Sequence, residues 1–123
     1  MIHFDTNFLI QSLVAESPAH RQFQAWADGR KALGISSIVW AEFLCGPLDA
    51  KAESLARQTF PNPEPFLAVD AALAAALFNQ TGRRSRSLAD CMIATVAIRC
   101  GAELATLNAG DFLSIVPHGL VLS

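Results

Sequence analysis

The sequence predicts an α/β fold of three layers (α/β/α), with a mostly parallel sheet of four to five strands in the middle. Three observations predict it. Short apolar runs of strand length alternate with longer stretches of helical periodicity, and the connections between them are short. Hydrophobic residues make up 52% of the 123 residues, enough to build a real core. Strands that alternate with helices pair in parallel and carry helices on both faces, and right-handed crossovers leave few topologies open. The length fits one domain spanning residues 1–123, with no repeat, low-complexity segment or internal boundary.

The elements come in order. Met1 to Phe4 is an apolar run that reads as a buried strand, and residues 7–14 carry the apolar spacing of a helix. Pro18 opens a second helix at its first turn and Gly29 ends it near Asp28, with Phe23 and Trp26 facing inward. Ala32 to Ile35 is a second strand. Ser36 or Ser37 caps a helix carrying Ile38, Val39, Trp40, Phe43 and Leu44, which Gly46-Pro47 stops. A more polar helix runs from about Leu48 to Gln58. Pro61, Pro63 and Pro65 then force an extended connection. Phe66 to Val69 is expected as a third strand, with Asp70 capping an Ala- and Leu-rich helix over 71–80. After a loop holding Thr81, Gly82 and three arginines, Ser87 caps a long helix to Cys100 that Gly101 terminates. Glu103 to Thr106 is a fourth strand, Asn108 to Gly110 a turn, and Leu120 to Leu122 a fifth strand.

Composition narrows the function classes. The longest apolar region, Pro65 to Phe78, is interrupted by Asp70 and falls short of the roughly 18 apolar residues of a membrane helix. No basic region followed by an apolar stretch opens the chain, so a cytoplasmic location is expected. Net charge is −2, which argues against whole-chain electrostatic binding of nucleic acid and leaves that role to a local patch. Arg83, Arg84 and Arg86 form one, either a solvated basic loop or a contact for backbone phosphates. Cys45, Cys91 and Cys100 lack metal-ligand spacing and read as small buried thiols. His3, His20 and His118 are scattered and form no nucleophile motif.

Carboxylates carry the chemical signal. Asp5 follows the first strand directly, at the rim where ligands collect in open α/β sheets. Asp90 falls in the first turn of its helix, where simple capping also explains it. Glu42 sits mid-helix between Trp40 and Phe43, where it either faces solvent or has a partner. Asp5, Glu42 and Asp90 gathered at one rim repel each other unless a cation neutralises them. Oxygen ligands without Cys or His select Mg²⁺ or Mn²⁺. Such an ion activates water for in-line attack on phosphorus. Asp111 and Asn108 follow the fourth strand and are expected at the same rim. Thr6, Asn7 and Ser37 are candidate supports for a ligand or water.

Four segments in sequence are similar to a known family: Asp5-Thr6-Asn7 after a strand, Ala41 to Gly46 (Ala-Glu-Phe-Leu-Cys-Gly), and Leu88 to Ala97 (Leu-Ala-Asp-Cys-Met-Ile-Ala-Thr-Val-Ala) followed by Leu104 to Asn108 (Leu-Ala-Thr-Leu-Asn). In order and spacing they resemble a PIN domain, and more narrowly the VapC toxins of bacterial toxin–antitoxin pairs. The resemblance implies a PIN-like fold and a magnesium- or manganese-dependent endoribonuclease with Asp5, Glu42 and Asp90 as its acidic core. It also implies a homodimer and a small VapB-like antitoxin that inserts into the active-site groove. The family's fourth acidic position falls by spacing on Asn108, with Asp111 as the other candidate. The sequence leaves that choice open, and with it one metal or two.

Other readings compete. A phosphoacceptor signalling domain wants paired acids after the first strand and a late lysine, and no lysine follows Lys51. An aspartyl phosphatase wants Asp-x-Asp, and Asn7 stands at the second position. A PIN-like domain that cuts DNA, or a silent module that only binds nucleic acid or a partner, stays open.

Overall fold

Ile2, His3 and Phe4 form a buried strand, β1 (Ile2–Phe4), because an apolar run at this spacing fills both faces of a covered sheet. In the computed structural model, which describes residues 1–46, 49–81 and 88–123, β1 is the axis of the fold. Helices α1 (Thr6–Ser12) and α2 (Pro18–Asp28) lead to β2 (Leu33–Gly34). Then come α3 (Ser37–Cys45), α4 (Ala50–Thr59), α5 (Ala68–Gln80) and α6 (Leu88–Arg99). Strand β3 (Glu103–Ala105), two 3₁₀ turns (Ala109–Asp111 and Leu113–His118) and β4 (Val121–Leu122) complete the order. Among the described residues, no helix is long and apolar enough to cross a membrane.

The sheet order is β2-β1-β3-β4 and every pairing is parallel. The chain leaves β1 towards β2 on one side and returns beside β1 as β3 on the other. The order therefore reverses between β1 and β3, and a crevice opens at their carboxyl ends. Register fixes who meets there. Phe4 pairs with Ala105, and the Asp5 N–H continues the ladder to the Ala105 carbonyl at 3.1 Å. Asp5 and Thr106, the next residues on each strand, thus emerge side by side.

Strand alternation sends Phe4 to one face of the sheet. Its ring is fully buried and packs edge-on against Phe8 (4.8 Å between centroids), Phe60 (5.5 Å) and Phe23 (5.8 Å), with Trp26 at 6.0 Å. This aromatic cluster ties α1, α2 and the end of α4 to the sheet. Each such pair adds about 0.5–1.5 kcal/mol beyond area burial. His3 points the opposite way, and a side chain at Gly34 would come within 2.9 Å of its Nε2, so β2 approaches closely only with glycine there. Burial lowers the pKa of His3, with Glu64 opposing the shift and Arg99 adding to it.

Several expectations are corrected. Phe66 to Val69 is not a strand: α5 begins at Ala68. The chain instead touches β2's end by one parallel bridge, Ser36 to Glu64, because Pro63 and Pro65 on either side of Glu64 have no N–H to extend it. Asp70 lies in the first turn of α5 rather than before it, and accepts the Leu67 N–H at 2.9 Å. The first helix starts at Thr6, not Asn7, and the helix expected from Leu48 starts at Ala50, capped by Asp49. Of the two serines, Ser36 is the cap of α3, accepting from the Val39 N–H at 3.2 Å. Cys91 is buried as expected, but Cys45, at the end of α3, is exposed. Among the described residues the sheet has four strands, within the four to five expected, and the strand expected over Leu120 to Leu122 is the fourth, Val121–Leu122. Ser87, expected as the cap of α6, lies outside the described residues.

A clasp joins α5, α6 and the proline-rich connection. Arg99 donates to both carboxylate oxygens of Asp70 (2.8 and 3.1 Å), to Glu64 (3.0 Å) and to the Pro65 carbonyl (2.9 Å). Burial opposes ionisation of Asp70, yet its bonds from Arg99 and Leu67 prevail and hold its pKa below the usual value.

Candidate active site

The site grows from the ends of β1 and β3. Asp5 is the cap of α1: its Oδ1 accepts the Phe8 N–H at 2.8 Å. Held by this bond at the strand–helix junction, Asp5 lines the crevice. Thr6 comes next, and its hydroxyl donates to Glu42 Oε1 at 2.6 Å. That short charge-assisted bond draws the Glu42 carboxylate from α3 towards α1. Asp90 comes from the first turn of α6. After β3, the chain folds into the Ala109–Asp111 turn, which brings Asn108 and Asp111 across from Asp5.

These groups line one cavity of about 160 Å³, bounded by Asp5, Thr6, Asn7, Glu42, Asp90, Asn108 and Asp111, with Ile93 and Phe112 as its apolar floor. Asp5 is only 5% exposed. Its pKa is raised, first by burial; hydrogen bonds from Thr106 and Phe8 oppose the shift, and the charges of Glu42 and Asp111 add to it. The acids therefore sense one another across the cavity.

Placement of the sequence-derived candidates is uneven. Asp5, Glu42, Asp90 and Asp111 are brought together, as are Thr6, Asn7 and Asn108. Ser37 is not among them. Its hydroxyl accepts the Phe66 N–H at 3.0 Å and fastens the proline-rich connection, because it faces that segment and not the crevice. Arg83, Arg84 and Arg86 lie outside the described residues. Sequence reasoning misses Thr106, which stands beside Asp5 at the end of β3 and opposes the rise in its pKa. Its one signal is positional: it stands after β3 as Asp5 stands after β1.

The donor chemistry suits a hard divalent cation, since every polar group on the wall offers oxygen or an amide. Among the described residues, no three His, Cys, Asp or Glu side chains close on one point as a finished ligand set. Such a lining suits an ion that keeps several waters, some of them between itself and a carboxylate, which is how Mg²⁺ binds. Asp5 and its neighbours Glu42 and Asp90 would hold it.

The fold and the acid-lined crevice define a class. The PIN domain family matches residues 2–115, and the chain belongs to it. PIN domains are generally nucleases. Known structures narrow the likeness further. The crystal structure of VapBC2 from Rickettsia felis, bound to a DNA fragment from its promoter, is similar with a TM-score of 0.78 and 22% identity, covering 100% of this chain and 98% of that one. A toxin–antitoxin complex from Klebsiella pneumoniae gives 0.76 and 29% identity over 98% and 96%. FitAcB from Neisseria gonorrhoeae gives 0.66 and 22% over 100% and 97%. No curated protein matches the sequence.

Proposed function

We propose that this PIN domain is a Mg²⁺- or Mn²⁺-dependent endoribonuclease and the toxin of a VapBC-type pair. The observation that carries the reading is the single cavity in which Asp5, Glu42, Asp90 and Asp111 face one another at the β1–β3 switch point. A bound divalent ion would supply a water made acidic enough to attack phosphorus at neutral pH, and charge to offset the leaving oxygen.

The chain's own groups do the rest. Asp5, fixed by its capping bond, holds the central negative charge at a defined point. Thr6 holds Glu42 so that its other carboxylate oxygen can orient a water or a ligand. Asp90 and Asp111 close the wall, and their charge keeps anions out of the cavity until a cation is bound. Asn7, exposed at the mouth, is placed to donate its amide to a phosphate oxygen. Arg83, Arg84 and Arg86, just before α6 in sequence, supply the positive charge that holds flanking phosphates.

Likeness to structures of toxin–antitoxin complexes supports a cognate VapB-like antitoxin as partner. The family resemblance extends this to a homodimer acting in the cytoplasm as a single domain. The test is cleavage of a mixed RNA pool with Mg²⁺, with EDTA, and by the Asp5→Asn and Asp90→Asn variants, with single-stranded DNA in parallel. RNA is expected to be cut only by the wild type with metal. Equal cutting by all proteins would overturn the reading, and cutting of DNA alone would reassign the substrate.

A further inference from the structure

We propose that the pocket between α3 and the end of α4 is a nucleobase subsite for the RNA strand, with Arg57 as its stacking residue. The inference rests on the reading of the acid-lined cavity as an RNA-cutting site. Three observations carry it.

The first is the make-up of the wall. Trp40, Arg57, Phe60, Pro61 and Pro63 enclose about 200 Å³. Trp40 stacks on Phe43, with centroids 5.7 Å apart and planes at 19°, which fixes one side of the indole. Arg57 Cζ sits over the Trp40 ring, 5.2 Å from its centroid, and this cation–π contact holds a long side chain in place. The Arg57 side chain is still 57% exposed, and its pair with Glu53, at 3.8 Å, is a loose surface contact. A planar cation backed by an indole and open on its other side is a platform for a base.

The second is hydrogen-bond sense. The polar side-chain groups here, the guanidinium and the indole N–H, only donate. Their complement carries acceptors, as the ring nitrogens and carbonyls of a base and the adjoining phosphate do. A Phe or Tyr ring from a protein partner offers none or one. Size agrees: whole small-molecule sites occupy about 300–1,000 Å³, so this pocket takes a single ring and not a helix.

The third is placement. Trp40 and Glu42 are two residues apart on α3, about 200° round the helix, so the pocket and the acid-lined cavity flank it on opposite sides. Phe60, on the pocket wall, packs against Phe4, which precedes Asp5. A strand crossing α3 covers about 10–12 Å, so the base on Arg57 lies on the order of three nucleotides, at about 3.4 Å each, from the bond that is cut.

The experiment is steady-state cleavage of mixed-sequence single-stranded RNA with Mn²⁺, as an octamer and as a trimer. The proteins are the full chain and its Arg57→Gln, Arg57→Lys and Arg21→Gln variants, the last an exposed arginine on α2 as a control for charge. For the octamer, kcat/KM is expected to fall about 5- to 150-fold in Arg57→Gln. The loss falls on KM with kcat unchanged, because a remote contact binds ground and transition states alike. Lysine keeps the charge without the plane, so Arg57→Lys does not restore the loss. Arg21→Gln matches wild type, and the trimer, too short to reach, is cut alike by all four proteins. Octamer cleavage by Arg57→Gln at the wild-type KM overturns the subsite, leaves the nuclease standing and gives the pocket to a side chain of a protein partner. Full recovery in Arg57→Lys overturns the base contact in favour of a simple charge. An equal loss on octamer and trimer marks a general defect and also overturns the subsite. RNA cut by none of the four overturns the nuclease reading and this inference with it.

Discussion

Asp5 does two jobs that a pair of substitutions separates. It caps α1 through the 2.8 Å bond from Phe8, and it contributes charge to the cavity. Asparagine keeps the first job, because Asn caps helices about as well as Asp. Alanine loses both. The lost cap costs about 1 kcal/mol, within a range of about 0.5–2, and a buried N–H left without a partner costs about 1–3. Because the two estimates overlap, Asp5→Ala is expected to be about 1–2 kcal/mol less stable than Asp5→Asn. For a domain of this size that is a gap of about 4–8 °C in melting temperature.

Charge adds a sign. The folded-state pKa of Asp5 is raised above 3.8, so the stability tied to its protonated form is complete below that pH and is lost as pH rises through the folded value. At pH 7 without metal, Asp5→Asn is therefore expected to be at least as stable as wild type, and its advantage shrinks as pH falls towards 3.8. Metal reverses the order, since an ion at 100 times its Kd stabilises only the protein that binds it, by about 2.7 kcal/mol. Scanning calorimetry at pH 7 and pH 4.5, with and without Mn²⁺, reads all three effects, and both variants are expected to be inactive. Equal melting of Asn and Ala variants would refute the capping argument. An active Asp5→Asn would refute the need for the charge.

Other outcomes come from the same geometry. Thr6→Val removes the 2.6 Å bond to Glu42 and is expected to lower cleavage more than stability, measured as kcat beside urea unfolding. Phe4→Ala empties the centre of the aromatic cluster and is expected to cost about 3–5 kcal/mol in urea unfolding. The lowered pKa of Asp70 contributes stability above 3.8 that is lost as pH falls through the folded value, so Asp70→Asn flattens the acid limb of the stability curve below about pH 4. Arg99→Gln leaves a buried carboxylate without its cation; melting temperature falls at pH 7 and partly recovers at mild acid pH, where Asp70 protonates. Neutralising Arg83, Arg84 and Arg86 together is expected to reduce the salt slope of RNA binding by about 2, since each contact to a single strand contributes about 0.7.

Much of this was legible because strong local signals agree with the fold. Asp5 after an apolar run, Pro18 at a helix start and Gly101 after α6 each obey local rules that tertiary packing left alone. Gly101 takes φ +63°, as a helix-ending glycine does. The acids were legible as a set because each sits where a strand or a helix turn delivers it to one rim. What misled was competition between levels. Phe66 and its neighbours have strand-like composition, but Ser37 takes the Phe66 N–H and the prolines deny a ladder. Ser37 offers a hydroxyl that could orient a ligand or water, but on the helix that hydroxyl accepts the Phe66 N–H instead. Thr106 is not legible beside Asp5 because its place depends on which strand lies next to β1, and strand order is not written locally.

The central claim is that Asp5, Glu42 and Asp90 share one divalent ion. Electron paramagnetic resonance of Mn²⁺, titrated into wild type and into Asp5→Asn, Glu42→Gln and Asp90→Asn, measures it directly. One bound ion is expected in the wild type, with affinity reduced at least about tenfold by each single substitution. Wild-type Mn²⁺ binding that survives all three changes would contradict it.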